Sequence, residues 1–234
     1  MQTIGLIGGM SWESTALYYR LINEHVRERL GGLHSAQIVL YSVNFDTVET
    51  LQAAGRWREA GVLLAKAARA LDAAGADFLV LCTNTMHKVI PAIEAATRLP
   101  VIHIADPTGA TIARDGRNTV GLLGTRFTME QAFYRERLEQ HHGLEVLTPP
   151  AEDREVVHRV IYEELCCGRV LQASREAYAR VMAGLVERAA EGIILGCTEI
   201  TLLVDERLAP VPLYDTTALH ARHAADLALA PERQ

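Results

Sequence analysis

Leu79-Val80-Leu81-Cys82-Thr83-Asn84-Thr85 and Ile193-Ile194-Leu195-Gly196-Cys197-Thr198-Glu199 read as two copies of one device. Each is a short apolar run ending in small, polar or nucleophilic residues, the pattern of a buried parallel strand opening into a loop at its carboxyl end. Aligned on their apolar runs, Cys82 falls opposite Gly196, Thr83 opposite Cys197 and Asn84 opposite Thr198, at an offset of 114 residues. A second pair agrees: Thr3-Ile4-Gly5-Leu6-Ile7-Gly8-Gly9 matches Thr119-Val120-Gly121-Leu122-Leu123-Gly124-Thr125 at an offset of 116. Two matched strand pairs at nearly one offset predict two similar α/β halves, with Thr83 and Cys197 facing a shared site.

Working outward, strands alternate with helices in both halves, which implies parallel sheets. Strands are expected at Ile4 to Ile7, Ala36 to Val43, Phe78 to Leu81 and Val101 to Ile104. A helix from Trp12 to Leu30 takes Ser11 as its N-cap and stops at Gly31-Gly32. Further helices are expected at Asp46 to Ala54, Arg56 to Ala74 and, interrupted near Pro91, Asn84 to Thr97. The second half gives strands Val120 to Leu123, Leu144 to Leu147, Ile193 to Leu195 and Pro210 to Asp215. Its helices are expected at Thr108 to Arg114, Met129 to His141, Asp153 to Cys167, Gln172 to Ala190 and Thr217 to Leu229. In such sheets ligands bind beyond the carboxyl ends of strands, where all the polar loops above lie.

Composition narrows the function classes. The chain has 234 residues, 49% hydrophobic and 22% charged, enough for one large domain or two small ones with real cores. A net charge of −6 supplies no electrostatic footprint for nucleic acid. No apolar run approaches the 18 or so residues of a membrane span, and the first residues carry no signal-peptide pattern. The four cysteines do not form a disulfide framework and fit a reducing cytoplasm.

Cys197, between Gly196 and Thr198, reads either as a buried small hydrophobe or as an exposed thiol for nucleophilic or base chemistry. The repeat favours the second, because its twin Thr83 also carries a proton. Backbone amides near a helix start would lower the thiol pKa. Cys82 is the decoy, since it aligns with Gly196 on the strand and side chains alternate across a strand. Asn84, Thr85, Thr198 and Glu199 suit both N-capping and the binding of a substrate carboxylate. Gly5, Gly8 and Gly9 do not make a dinucleotide fingerprint, and no phosphate-loop lysine follows. His220 and His223 make an H-x-x-H on the last helix without a third ligand, which reads as surface histidines. His141-His142 reads as a cap at a helix end.

Gly8-Gly9-Met10-Ser11, Thr83-Asn84-Thr85 with Met86-His87, Gly124-Thr125 with Thr128-Met129, and Gly196-Cys197-Thr198-Glu199 together resemble the aspartate/glutamate racemase family, in its bacterial aspartate/glutamate-specific or broad-specificity branch. The resemblance runs over essentially the whole chain. It implies two pseudo-symmetric α/β domains, each a small parallel sheet flanked by helices, with the active site in the interdomain cleft. The domains implied are 1–104 plus 215–234, with the last helix returning to the first domain, and 105–214. It also implies no pyridoxal phosphate, no other cofactor and no metal, a small-molecule amino-acid substrate, and a homodimer.

In such relatives two cysteines flank the substrate α-carbon, one removing the α-proton and the other delivering a proton to the opposite face. The family motif at the first position is Cys-Asn-Thr; here it is Thr83-Asn84-Thr85, a departure at a catalytic position. A thiol titrates near 8.5 and can be tuned, whereas a threonine hydroxyl will not be a resting base. The expectation is therefore asymmetric racemisation of aspartate or glutamate by Cys197 and Thr83, with the L-form preferred by resemblance. By resemblance too, the α-carboxylate meets Asn84, Thr85 and Thr125 or Thr128, with backbone groups of Met10 and Thr198. For the distal carboxylate, relatives that take aspartate place basic side chains, whereas the corresponding regions here offer Gln52 and Glu163-Glu164, with Arg56 as a substitute cation. A site short of cations disfavours a second carboxylate. Two other readings stay open: a one-cysteine decarboxylase or isomerase of a small carboxylic acid, and a non-catalytic small-acid binding protein.

Overall fold

The computed structural model describes residues 1–231. The chain divides into two compact units, one of residues from Met1 to His103 together with those from His220 onward, the other Ile104–Leu219. The expected assignment of residues 232–234 to the first domain lies outside the described residues. Among the described residues, no helix is long and apolar enough to cross a membrane.

The first unit runs β1 (Ile4–Gly8), α1 (Trp12–Leu30), β2 (Ile38–Ser42), α2 (Phe45–Ala53), α3 (Trp57–Ala73), β3 (Phe78–Leu81), a 3-10 turn at Thr85–Val89, α4 (Ile90–Glu94) and β4 (Val101–Ile102). The second runs α5 (Ala105–Arg114), β5 (Thr119–Gly124), α6 (Arg126–Glu130), α7 (Ala132–His142), β6 (Glu145–Leu147), α8 (Ala151–Glu163), a 3-10 turn at Leu165–Cys167, α9 (Gln172–Glu187), β7 (Ile193–Gly196), a 3-10 turn at Thr198–Leu202, and β8 (Leu213–Asp215). The last helix, α10 (Thr216–Leu229), spans the division between the units.

Each unit holds a four-stranded, all-parallel sheet, ordered β2-β1-β3-β4 in the first and β6-β5-β7-β8 in the second. The order is the same in both, as the repeat predicts. Central parallel strands are covered on both faces and so are apolar throughout; every residue of β1, β3 and β7 is buried.

Alternation then assigns each side chain to a layer. Phe78, Val80 and Cys82 pack with Tyr18 of α1 and with Ala221 and Ala224 of α10. Leu79 and Leu81 turn to the other face, against Leu64 and Leu71 of α3. In the second unit Ile193 and Leu195 pack on Val157 of α8 and Met182 of α9, while Ile194 joins Ile112, Leu138 and Tyr214. Each fully buried Leu, Ile or Val of this kind contributes roughly 1.5–3 kcal/mol.

Local chemistry sets the helix ends. The Ser11 hydroxyl accepts the Ser14 backbone N–H at 3.2 Å and starts α1, and Gly31, at φ 75°, ends it. Three expected helices are shorter or broken. Met129 to His141 is split at Gln131, which is extended, because the Thr125 cap starts α6 at Arg126. Asn84 to Thr97 is a 3-10 turn followed by the short α4, since Pro91 lacks the N–H a continuous helix needs. Asp153 to Cys167 ends as α-helix at Glu163, and Glu164 leads into a 3-10 turn.

The H-x-x-H of α10 needs correction as a pair of surface histidines. His223 is exposed, but His220 is fully buried, with its Nδ1 2.8 Å from the Tyr18 hydroxyl and its Nε2 2.9 Å from the Ile102 carbonyl. The reason is tertiary: α10 lays its alanine face on the first sheet and carries His220 in with it.

Candidate active site

Strand register puts the two copies of the motif on one scale. Leu79 pairs with Gly5 and Leu81 with Ile7; Ile193 pairs with Gly121 and Leu195 with Leu123. Thr83 and Cys197 therefore stand two residues beyond equivalent ladder positions in their own sheets. Gly196 is still in the ladder opposite Gly124, and Cys82 likewise donates its backbone N–H to the Ile7 carbonyl at 2.9 Å. Its side chain is wholly buried, and burial pushes the thiol far above its ordinary value. Cys82 is packing. At the twin position a Cβ on Gly196 would lie 2.8 Å from the Leu123 carbonyl oxygen, so only glycine fits there.

At the end of β3 the chain turns at once: the Thr83 N–H donates to the Leu81 carbonyl at 2.8 Å, and Thr83 is half-buried. His87 sits 2.7 Å through Nδ1 from the Thr83 carbonyl. Burial, with the His103 ring tilted against it at 4.6 Å between centroids, drives the His87 pKa well below the ordinary imidazole value, so the ring is neutral and Nδ1–H is the donor. This clamp on the Thr83 backbone was not anticipated. Its signal is a histidine four residues on, in the first turn after the strand. Asn84 and Thr85 are buried at the start of that turn. Met10 is buried in the same hydrophobic cluster as Met86, and the Gln52 amide donates to the Met86 sulfur at 2.9 Å. Arg56 is exposed and paired with Glu59.

The loop after β1 is built for close approach. Gly9 has φ 89°, and a Cβ there would meet the Val43 carbonyl at 2.2 Å. Its N–H donates to the Thr15 hydroxyl at 2.8 Å, and that hydroxyl donates to the Ser11 carbonyl at 2.8 Å. The start of α1 thus ties down the loop that carries Met10.

At the end of β7, Cys197 is extended and half-buried, and its thiol donates to the Glu199 carboxylate, Sγ to Oε2 3.0 Å. Desolvation first, then the Glu199 charge and the nearby Cys166, raise the thiol pKa well above normal; the Glu199 backbone N–H pulls the other way and loses. The expected lowering by a helix start is therefore overturned. The following helix is a 3-10 turn of five residues, too short a dipole to outweigh a carboxylate in direct contact. At neutral pH the resting group is the thiol.

Around it, Thr125 caps α6 by accepting the Thr128 N–H at 3.3 Å, and the two hydroxyls are 3.3 Å apart. Thr128 is fully buried, and its methyl lies against Gly196. The Thr198 hydroxyl pairs with that of Thr217 at 2.9 Å. Glu164 is buried, takes a hydrogen bond from the Ser174 hydroxyl and lies 3.9 Å from Arg159. The tertiary structure thus gathers Met10, Gln52, Thr83, Asn84 and Thr85 in the first unit. Thr125, Thr128, Glu164, Cys197, Thr198 and Glu199 lie in the second.

Each unit of this duplicated parallel α/β fold carries a proton-bearing side chain just past a central strand. The Asp/Glu/hydantoin racemase family model matches residues 7–224, and the chain belongs to that family. It is 24% identical over 168 residues to the broad specificity amino-acid racemase RacX of Bacillus subtilis (strain 168), covering 68% of each chain. The solved structure of a candidate Asp/Glu racemase from Yersinia pestis is 59% identical with a TM-score of 0.93, covering 98% of this chain and 100% of that one. An aspartate racemase homologue from Pyrococcus horikoshii OT3 is 34% identical with a TM-score of 0.85, covering 98% and 100%. Family and relatives support an amino-acid racemase, an isomerase.

Proposed function

We propose that this racemase acts on aspartate or glutamate without a cofactor, with Cys197 and Thr83 as its two proton-transfer groups. The observation that carries the proposal is the shared register: both residues stand two positions past equivalent rungs of equivalent ladders. Cys197 takes the α-proton from one face. The Thr83 hydroxyl, which is not a base at neutral pH, returns a proton to the other face or relays one from water. Racemisation is then asymmetric, and the family resemblance makes the L-enantiomer the preferred substrate.

Asn84, Thr85 and the Thr125–Thr128 pair receive the α-carboxylate, helped by backbone groups of Met10 and Thr198. Gln52 and Glu164 border the distal group. A carboxylate at Glu164 cannot donate to a second carboxylate, so the Gln52 amide is the hydrogen-bond donor at that end. Four free cysteines are consistent with work in the cytoplasm.

The test is proton NMR in D₂O on L- and D-aspartate and L- and D-glutamate, with a Cys197→Ser control. Loss of the α-proton signal from one enantiomer, absent in the control, is the expected result. Equal loss from both would remove the role given to Thr83. Silence with all four would overturn the racemase reading in favour of a decarboxylase, an isomerase or a binding protein.

A further inference from the structure

Beside the Thr125–Thr128 pair, the start of α6 is held by a side chain that the proton transfers do not use. At five residues, α6 is far below the roughly 12–15 at which a helix sustains itself, so its position comes from its caps. Helix starts leave backbone N–H groups without partners inside the helix. The Thr125 hydroxyl takes the N–H of Thr128, and the N–H of Arg126 donates to His158 Nδ1 of α8 at 3.3 Å. A ring nitrogen that accepts carries no proton, so the geometry sets the tautomer of this half-buried imidazole: Nδ1 bears the lone pair. The ring plane is fixed in turn, with Tyr162 4.8 Å away between centroids and Phe127 edge-on at 6.3 Å.

We propose that His158 is a positioning residue of this site: its Nδ1 lone pair anchors the Thr125–Arg126 turn and so holds the Thr125 and Thr128 hydroxyls where the substrate α-carboxylate binds. The inference rests on the racemase reading and gives His158 no contact with the substrate. Only the neutral ring can act in this way. Protonation would turn Nδ1 into a donor facing the donor of Arg126, and the bond would be lost. The surroundings favour the neutral form. Burial and the Arg126 guanidinium lower the His158 pKa, outweighing the Glu155 and Glu130 carboxylates. Both acids are engaged with arginines, Glu155 with Arg126 at 3.6 Å and Glu130 with Arg154 at 2.9 Å. Of the other elements packed on α8, β5 has no ionisable side chain. From α9 the Tyr178 phenol donates to the Val157 carbonyl at 3.0 Å, and from the 3-10 turn at Leu165–Cys167 the Cys167 thiol donates to the Tyr162 carbonyl at 3.6 Å.

Asparagine carries an acceptor oxygen as far along the side chain as Nδ1 and does not titrate, whereas leucine fills the space and accepts nothing. His158→Asn and His158→Leu are therefore assayed beside the wild type by α-proton exchange in D₂O, with KM and kcat taken separately. His158→Leu should raise KM at neutral pH by about three- to tenfold with kcat within about twofold, the share of one neutral hydrogen bond. His158→Asn should keep the wild-type KM. Nitrogen NMR of isotope-labelled protein then reads the pH at which His158 gains its second proton. The wild-type KM should climb across that pH, and the KM of His158→Asn should not. An unchanged KM in His158→Leu, or equal losses in both variants, would overturn the proposal, as would a neutral ring with its proton on Nδ1. Should His158→Leu fail to fold, the other two profiles decide: a KM that runs flat across the His158 titration, or climbs equally in both proteins, overturns it. Wild-type protein silent toward L- and D-aspartate and L- and D-glutamate would instead defeat the racemase reading itself, a result distinct from an active enzyme indifferent to residue 158.

Discussion

The ends of β3 and β7 share a ladder register and differ in which residue holds the sulfur. At β7 the rung before the site is glycine and the thiol stands beyond it; at β3 the rung itself is Cys82 and a hydroxyl stands beyond it. One residue separates a thiol facing its unit's core from one with a hydrogen-bonded, half-open position. The surroundings differ as well. Thr83 is held through its backbone by a neutral, buried histidine, whereas Cys197 is held through its side chain by a carboxylate. The β3 end is organised for position and the β7 end for proton affinity.

The largest expected effect comes from removing the sulfur beyond the rung. Cys197→Ser should lower turnover by about a hundred- to ten-thousand-fold, read by chiral chromatography of product, with the fold checked by circular dichroism. A comparable loss from Cys82→Ala, in a protein that still folds, would break the distinction between the two ends. Next, Thr83→Cys should make the ends alike. Exchange from the slower enantiomer should rise by at least about tenfold, bringing the two initial rates together.

A smaller effect separates the rungs themselves. Gly196→Ala forces a methyl to 2.8 Å from the Leu123 carbonyl oxygen and should lose about 1–3 kcal/mol in urea unfolding. The His87 clamp predicts a pH dependence. His87 is neutral when folded, with its pKa pushed down by burial and by His103, while an unfolded imidazole titrates near 6.5. Stability is therefore full above pH about 6.5 and is lost as pH falls below it, by up to about 1.4 kcal/mol per pH unit. Urea midpoints measured between pH 7.5 and 5 should show this, and His87→Gln should flatten that loss. Smallest of all, Cys82→Ala should cost about 1 kcal/mol for the lost packing and leave the ratio of the two exchange rates unchanged.

Much of this was legible in the chain. Apolar runs bounded by glycine and polar residues announce parallel strands, and two offsets close to one another announce a duplication. The decoy status of Cys82 also followed, because alternation along a strand is a property of the backbone alone. What was misread depended on neighbours distant in sequence. His220 looked like one of two surface histidines until α10 carried it under Tyr18. The thiol of Cys197 looked fit for activation by a helix start, but that start is a single 3-10 turn and the Glu199 carboxylate folds back onto the sulfur. The helix after β3 was drawn too long because the effect of Pro91 depends on how tightly the preceding turn is wound.

By itself the sequence determined the duplicated α/β topology, the equivalence of Thr83 with Cys197 and the dismissal of Cys82. All three rest on periodicity and on counting along the backbone, which are local. The tertiary structure decided protonation: which thiol is desolvated, which carboxylate accepts its hydrogen bond, and which histidine is kept neutral under the Thr83 turn. Those depend on burial and on charges a few ångströms away through space, and no spacing along a chain encodes such distances.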